Sequence, residues 1–171
     1  MQAKRNIELK ARCRDLARAA RAALEAGAER AGLLVQCDTY FRVPNGRLKL
    51  RETDGRPAEL IWYARPNDPA DRGSDYYVLP TPAPAETKAA LTRALGVRGE
   101  VRKRRELLLW HNVRIHLDDV AGLGTFLEFE AVVSDSADEA VSRQRLRSLT
   151  ERLGIQQADR VALSYSDLLG I

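Results

Sequence analysis

Strict two-residue alternation runs through this sequence, and on segment after segment the face opposite the apolar one carries long charged side chains. Asn6–Cys13 sets Ile7, Leu9, Ala11 and Cys13 against Asn6, Glu8, Lys10 and Arg12. A period of two is the signature of a β-strand. The pattern recurs over about Leu33–Phe41, with Gln36, Asp38 and Tyr40 opposite Val35, Cys37 and Phe41. Arg47–Glu52 opposes Arg47, Lys49 and Arg51 to Leu48 and Leu50, and Glu59–Arg65 opposes Glu59, Ile61, Tyr63 and Arg65 to Leu60, Trp62 and Ala64. Further on, Val101–Trp110 places Lys103 beside Arg105, Val113–Asp118 aligns Arg114, His116 and Asp118, and Thr125–Val133 aligns Phe126, Glu128 and Glu130. A short strand is expected over Asp75–Leu79.

Turn and cap signals punctuate these segments. Pro44-Asn45-Gly46 and Thr53-Asp54-Gly55-Arg56-Pro57 are turns, and Pro66–Ser74 reads as a loop. Asp15 offers an N-cap to an alanine-rich helix reaching about Glu25, with Gly27 placed to stop it. Glu86–Leu95 is a second helix, ended by Gly96. Ser136-Ala137-Asp138-Glu139 reads as a capping box for a third, whose apolar stripe is Val141, Leu146, Leu149 and Leu153. The count is seven or eight mostly antiparallel strands in two groups, with a helix inside or after each. A single domain over 1–171 is expected.

With 44% hydrophobic and 30% charged residues, the chain is of globular and not disordered composition. No apolar run is long enough for a transmembrane helix, and Met1–Arg5 is not followed by the apolar core of a signal peptide, so a cytoplasmic location is expected. Cys13 and Cys37 lack zinc-site spacing and are expected as small buried thiols.

The charged face is the unusual feature. It gathers Glu8, Lys10, Asp38, Lys49, Arg51, Arg65, Lys103, Arg105, Arg114, His116, Asp118, Glu128 and Glu130. The chain has twenty-three arginines and only five lysines, yet three of those lysines fall on this face. One strand with such a face is ordinary solvated surface, its ion pairs worth little. Repetition over five or six strands is not, because an open face of that size would also carry plain hydroxyl residues. Closed into a barrel, the face becomes a lumen suited to a polyanion. The pI of about 9.3 admits nucleic acid as a partner. The interleaved carboxylates would repel a phosphate backbone, so nucleic acid is not the expected ligand. His116 suits a general base by residue type, but a hydrogen-bonding role in the lumen is the expectation.

Taken in order, Asn6-Ile7-Glu8-Leu9-Lys10, Gln36-Cys37-Asp38-Thr39-Tyr40-Phe41, Gly46–Arg51, Lys103-Arg104-Arg105, and Arg114–Val120 through Leu123-Gly124 and Glu128-Phe129-Glu130 resemble the motifs of the CYTH superfamily of triphosphate tunnel enzymes. The similarity is greatest to its bacterial class IV adenylyl-cyclase-like branch, and it covers Asn6 to about Leu169. What the resemblance implies is an α+β fold: a closed or nearly closed eight-stranded antiparallel β-barrel with helices packed outside. It implies an enzyme that grips a nucleoside or inorganic triphosphate with Mg²⁺ or Mn²⁺. Lys10, Lys49, Arg51, Arg65, Lys103, Arg105 and Arg114 correspond to its phosphate-binding cations. Glu8, Glu128 and Glu130 correspond to its metal carboxylates, and Glu8, Lys10 and Asp118 to catalytic positions. Asn6 stands where the family's first signature glutamate would be, which leaves one metal site complete and weakens a second. Adenylyl cyclase, converting ATP to cyclic AMP and pyrophosphate, is the leading expectation. An inorganic or organic (for example thiamine) triphosphatase and a non-catalytic polyphosphate- or nucleotide-binding module stay open, as does a homodimer. No membrane partner is expected.

Overall fold

The computed structural model describes residues 3–66 and 72–171. Eight strands, β1 (Lys4–Arg12), β2 (Glu29–Phe41), β3 (Arg47–Thr53), β4 (Ala58–Ala64), β5 (Arg72–Thr81), β6 (Val97–Trp110), β7 (Val113–Val120) and β8 (Gly124–Val132), form a closed barrel. Around the ring the order is β1-β5-β4-β3-β2-β6-β7-β8. Every neighbouring pair is antiparallel. Two meanders, β2 to β5 and β6 to β8, are joined by the β2–β6 contact on one side and by β1 on the other. The eight-stranded α+β barrel implied by the sequence is the fold observed.

Four helices lie outside: α1 (Leu16–Glu25), α2 (Pro84–Leu95), α3 (Glu139–Arg152) and the short α4 (Tyr165–Leu168). Asp15 caps α1 as expected, its carboxylate accepting the Arg18 N–H at 2.8 Å. The buried residues of α1 are Ala19, Ala20 and Ala23, small enough to let the helix lie close on the barrel. Together with Leu146 and Leu149 of α3 they cover the outward faces of β1, β7 and β8, whose Ile7, Leu9, Ile115, Leu117, Leu127 and Phe129 are almost wholly buried. The second patch packs Leu91 and Leu95 of α2 on Phe41, Leu50 and Ala58. The third fills one end of the interior: Tyr40, Val101, Val120 and Phe126 meet Tyr165 of α4. None of the helices among the described residues is long and apolar enough to cross a membrane.

Several element limits differ from those read in the sequence. β2 and β6 start four residues earlier than the alternation suggests, because they pair along nearly their whole length, from Glu29↔Leu109 to Phe41↔Val97. β5 begins at Arg72 and runs to Thr81, since it bonds β1 on one side and β4 on the other and this pairing overrides Gly73 and Pro80. The expected Pro66–Ser74 loop is correspondingly shorter, and residues 67–71 lie outside the described residues. Ser136 does not cap α3. The N-cap is Asp138, accepting from Val141 N–H at 2.9 Å, while Ser134 and Ala137 exchange backbone hydrogen bonds. The cysteines are half-buried and not core residues. Cys37 lies on the outward face of β2 beside Glu52 and Arg102, where Lys88 of α2 reaches Glu52 at 3.3 Å and Glu100 at 2.9 Å, so the thiol has polar neighbours in place of an apolar cover.

The helix-covered outer face should carry most of the stability. Leu149→Ala is expected to lower the unfolding free energy by about 2–5 kcal/mol, and Leu33→Ser by less than about 0.5 kcal/mol, as measured by urea denaturation.

Candidate functional site

Because β-strand side chains alternate, closing the barrel with its apolar faces outward sends the charged face in. The result is a cavity of about 640 Å³ whose described lining includes nine Lys and Arg against five Asp and Glu. Lys10, Lys49, Arg51, Arg65, Lys103, Arg105, Arg114, Glu8, Glu128 and Glu130 all line it.

The cations concentrate on β3 and β6, around one carboxylate of β2. Asp38, 1% exposed, accepts from Lys49 Nζ at 3.0 Å, Lys103 Nζ at 2.8 Å, and Arg51 Nε and Nη2 at 2.7 and 2.8 Å. Burial alone would raise the Asp38 pKa, but Arg51, Lys103 and Lys49 hold it well below the usual carboxylate range. A single carboxylate cannot satisfy three cations. Lys103, though only 2.8 Å from Asp38, is pushed down to about 7 by burial and by the surrounding Arg51, Arg105 and Lys49.

The opposite wall is acidic. Glu8 of β1 pairs in register with Glu130 of β8, and Lys10 with Glu128. Burial and the charges of Glu130 and Glu128 push the Glu8 carboxyl up to about 7, against the pull of Arg65, whose Nε lies 3.5 Å from Glu8 Oε2. Burial opposes ionisation of Glu128 too, but Lys10, His116 and Arg105 keep it well below the ordinary range. Glu130 is likewise lowered against its burial, by His116 and Arg105 among others. Arg105 links the walls: its guanidinium binds both oxygens of Asp118 at 2.6 Å and reaches Glu128 Oε2 at 3.1 Å.

Asp118, an expected catalytic position, stands apart from the other expected site residues. It is fully buried and does not line the cavity; both its oxygens are taken by Arg105, and Oδ2 also accepts the Tyr165 hydroxyl at 2.8 Å. Register and closure place it behind Arg105, as a support for that guanidinium. Arg114 sits at the more open rim, its side chain 43% exposed and 3.7 Å from Glu130.

Tyr165 is the residue that sequence reasoning missed. Its ring lies 3.9 Å from Lys10 Nζ, and the neighbouring Leu163 carbonyl accepts from the same ammonium at 3.5 Å. The local signal was present: Ser164 and Asp167 form a capping box for α4. That spacing marks a helix start but says nothing of where the helix docks. Glu59 and Arg56 also line the cavity, and Glu59 shares the inward parity of Ile61 and Tyr63.

The antiparallel barrel thus encloses a charged tunnel, with a cation cluster on one wall and carboxylates on the other. The chain belongs to the CYTH domain family, whose profile matches residues 4–165. It is 25% identical over 136 residues to a provisionally named adenylate cyclase of Methanocaldococcus jannaschii, covering 78% of this chain and 77% of the relative. The fold is similar to that of a provisionally named adenylate cyclase of Vibrio parahaemolyticus: TM-score 0.79, 24% identity, 99% of this chain and 100% of the other. It is also similar to a Hippeastrum protein provisionally named an adenylyl cyclase and described as having a dominant triphosphatase activity: TM-score 0.63, 17% identity, 89% and 88% covered.

Two outcomes follow from the charge arrangement. Asp38→Asn should cost about 3–5 kcal/mol of stability by stranding three buried cations, and added inorganic triphosphate should restore most of the melting temperature. The second concerns pH. Between pH 4.5 and about 7 the folded Glu8 keeps a proton that the unfolded chain has lost, so its contribution to stability is full below that window and falls as pH rises through it. In EDTA, Glu8→Gln should therefore flatten the decline in melting temperature across this range, with little change at pH 4.5.

Proposed function

We propose that the protein binds a nucleoside triphosphate in the barrel lumen and acts as an adenylyl cyclase, converting ATP to cyclic AMP and pyrophosphate. The observation that carries this reading is the Asp38 cluster. Three cations share one carboxylate in a buried cavity, a distribution that a triphosphate completes. Phosphate oxygens would supply the partners that Asp38 alone cannot give Lys49, Arg51 and Lys103, and charge-assisted bonds of this kind are the strong ones. Arg105, held flat by Asp118, is preorganised to meet an anion between the two walls. Lys10, Arg65 and Arg114 extend the clamp along the acidic side. Lys10 also takes the catalytic role, at the junction of the clamp and the carboxylates. Asp118 acts through Arg105.

The donor set fits a divalent cation. Glu8, Glu128 and Glu130 present hard oxygens close enough together that Glu8 resists ionisation in their company. The Asn6 Oδ1 is buried with no hydrogen-bond partner, a neutral oxygen beside the same wall. A bound Mg²⁺ or Mn²⁺ would neutralise charge on the phosphoryl oxygens. Glu8 thus serves both as metal ligand and as a catalytic carboxylate. Asn6, lacking the charge of a glutamate, supports one strong cation site and a weaker second.

Cyclisation is favoured by the cyclase names of the M. jannaschii and V. parahaemolyticus proteins. The triphosphatase described for the Hippeastrum protein supports hydrolysis as the second reading, since the same clamp serves either nucleophile. A product assay with ATP, inorganic triphosphate and thiamine triphosphate, each with Mg²⁺ and Mn²⁺, separates them. Cyclic AMP and pyrophosphate from ATP, abolished by EDTA, is the expected outcome. Orthophosphate release selects hydrolysis, and tight binding without turnover selects a binding module. Lys103→Ala should weaken triphosphate binding at least about tenfold while leaving the fold intact, because removing one of several like charges relieves repulsion in the empty lumen.

A further inference from the structure

His116 is the inward residue of β7 that the triphosphate clamp does not use. It is 4% exposed, and its Nδ1 is buried without a hydrogen-bond partner. Register brings it opposite Glu128 of β8, with Glu130 two residues along the same inward row. Nδ1 lies 3.8 Å from Glu128 Oε2 and 3.8 Å from Glu130 Oε1. These separations are too long for hydrogen bonds. The imidazole is therefore aimed between two carboxylates without bonding either, and the three ligand atoms fall within 4.8 Å of one another. An orphaned buried nitrogen carries a desolvation cost of about 1–3 kcal/mol, so its placement is explained best by a ligand that all three groups share.

We propose that His116 supplies a nitrogen donor to a divalent-cation site completed by Glu128 and Glu130, and that this nitrogen biases the site toward first-row transition ions over Mg²⁺. The inference rests on the metal-dependent reading above and adds the identity of a donor and of the preferred ion. Mg²⁺ is a hard, reluctantly dehydrated ion served by oxygen ligands, whereas an imidazole favours ions further along the transition series. An all-carboxylate wall would make a smaller distinction, its hard oxygens suiting Mg²⁺ and Mn²⁺ alike. Arg105 also touches Glu128 Oε2, at 3.1 Å, but a carboxylate has lone pairs enough to accept from the guanidinium and bind a cation together. Arg114 lies 3.7 Å from Glu130 Oε2, while Oε1 is the oxygen nearest the imidazole, and Lys10 lies 3.5 Å from Glu128 Oε1.

Mn²⁺ is the probe, titrated into the full chain without nucleotide. Bound ion is read by electron paramagnetic resonance, and Mg²⁺ affinity by competition. Mn²⁺ should bind about tenfold or more tighter than Mg²⁺. Protein carrying ¹⁵N-histidine should show nitrogen coupling to the bound Mn²⁺ in pulsed spectra. His116→Asn, which keeps an oxygen near the Nδ1 position, should lose most of the Mn²⁺ preference while keeping Mg²⁺ affinity. His116→Ala should lose about 10–100-fold in Mn²⁺ affinity, the range for disturbed metal sites. Mn²⁺ bound without histidine coupling, or unchanged Mn²⁺ affinity in both variants, overturns the nitrogen donor and leaves the carboxylate site standing. Absence of any bound Mn²⁺ or Mg²⁺, with triphosphate still captured, overturns both this inference and the metal-dependent reading. The coupling measurement needs only the unaltered protein, so it decides the matter even if a His116 variant fails to fold.

Discussion

Closure of the sheet is the constraint from which the rest follows. β1 bonds β5 on one edge and β8 on the other, so among the described residues the ring is closed and the inward side chains of all eight strands are gathered into one interior. Among the described residues, nine cations and five carboxylates thereby line about 640 Å³. Such an interior cannot be the source of stability: desolvation of each charge offsets what its partner returns. The stabilising surface is outside the ring, where α1 and α3 bury Ile7, Leu9, Ile115, Leu117, Leu127 and Phe129. A conventional core turned outward against helices holds an unfavourable charge distribution inside.

Within the lumen, the internal ion pairs read as substitutes for a ligand. Asp38 satisfies Arg51 with two bonds and must still serve Lys49 and Lys103. Across the cavity, burial, and then the like charges of Glu130 and Glu128, push the Glu8 carboxyl up to about 7. One wall is short of negative charge and the other has too much. A triphosphate, if bound as proposed, would correct the first and a divalent cation the second, and the two would attract one another. Each should therefore strengthen the binding of the other, since the coupling between bound ligands is reciprocal.

What the sequence made legible was local. Alternation in Asn6–Cys13, Arg47–Glu52 and Thr125–Val133 assigned inward and outward faces correctly, because the period of a strand does not depend on its neighbours. Lys10, Lys49, Arg51, Glu128 and Glu130 were found that way. The cap at Asp15 was equally local. Features set by partners were not legible: β5 spans Gly73 and Pro80 only because strands on both sides bond it. Asp118 has the parity of a lumen residue, yet the bidentate grip of Arg105 and the Tyr165 hydroxyl remove it from the cavity. Cys37 alternates with apolar residues, but the groups that reach it are Glu52, Arg102 and Lys88 of α2, and not an apolar helix face.

Tyr165 shows how far a site can depend on residues remote in sequence. Its ring meets Lys10 Nζ at 3.9 Å while its hydroxyl binds Asp118, which in turn fixes Arg105. The same ring packs on Phe126 at a centroid distance of 5.1 Å, sealing the end of the barrel that Tyr40, Val101 and Val120 fill. One side chain therefore joins an apolar seal to two cations of the clamp. Burial of the tyrosine stabilises the packing, and the packing fixes the geometry of Lys10 and Arg105 from the wall of the cavity itself. The α4 turn is anchored independently, through Arg47 to Asp167 at 2.7 Å and through its own Ser164 cap. Arg47 lies on the cation-bearing strand β3, so the support for Lys10 on one wall is tied to the strand that carries Lys49 and Arg51 on the other. The two halves of the charged lumen are held in register by the helix that closes it.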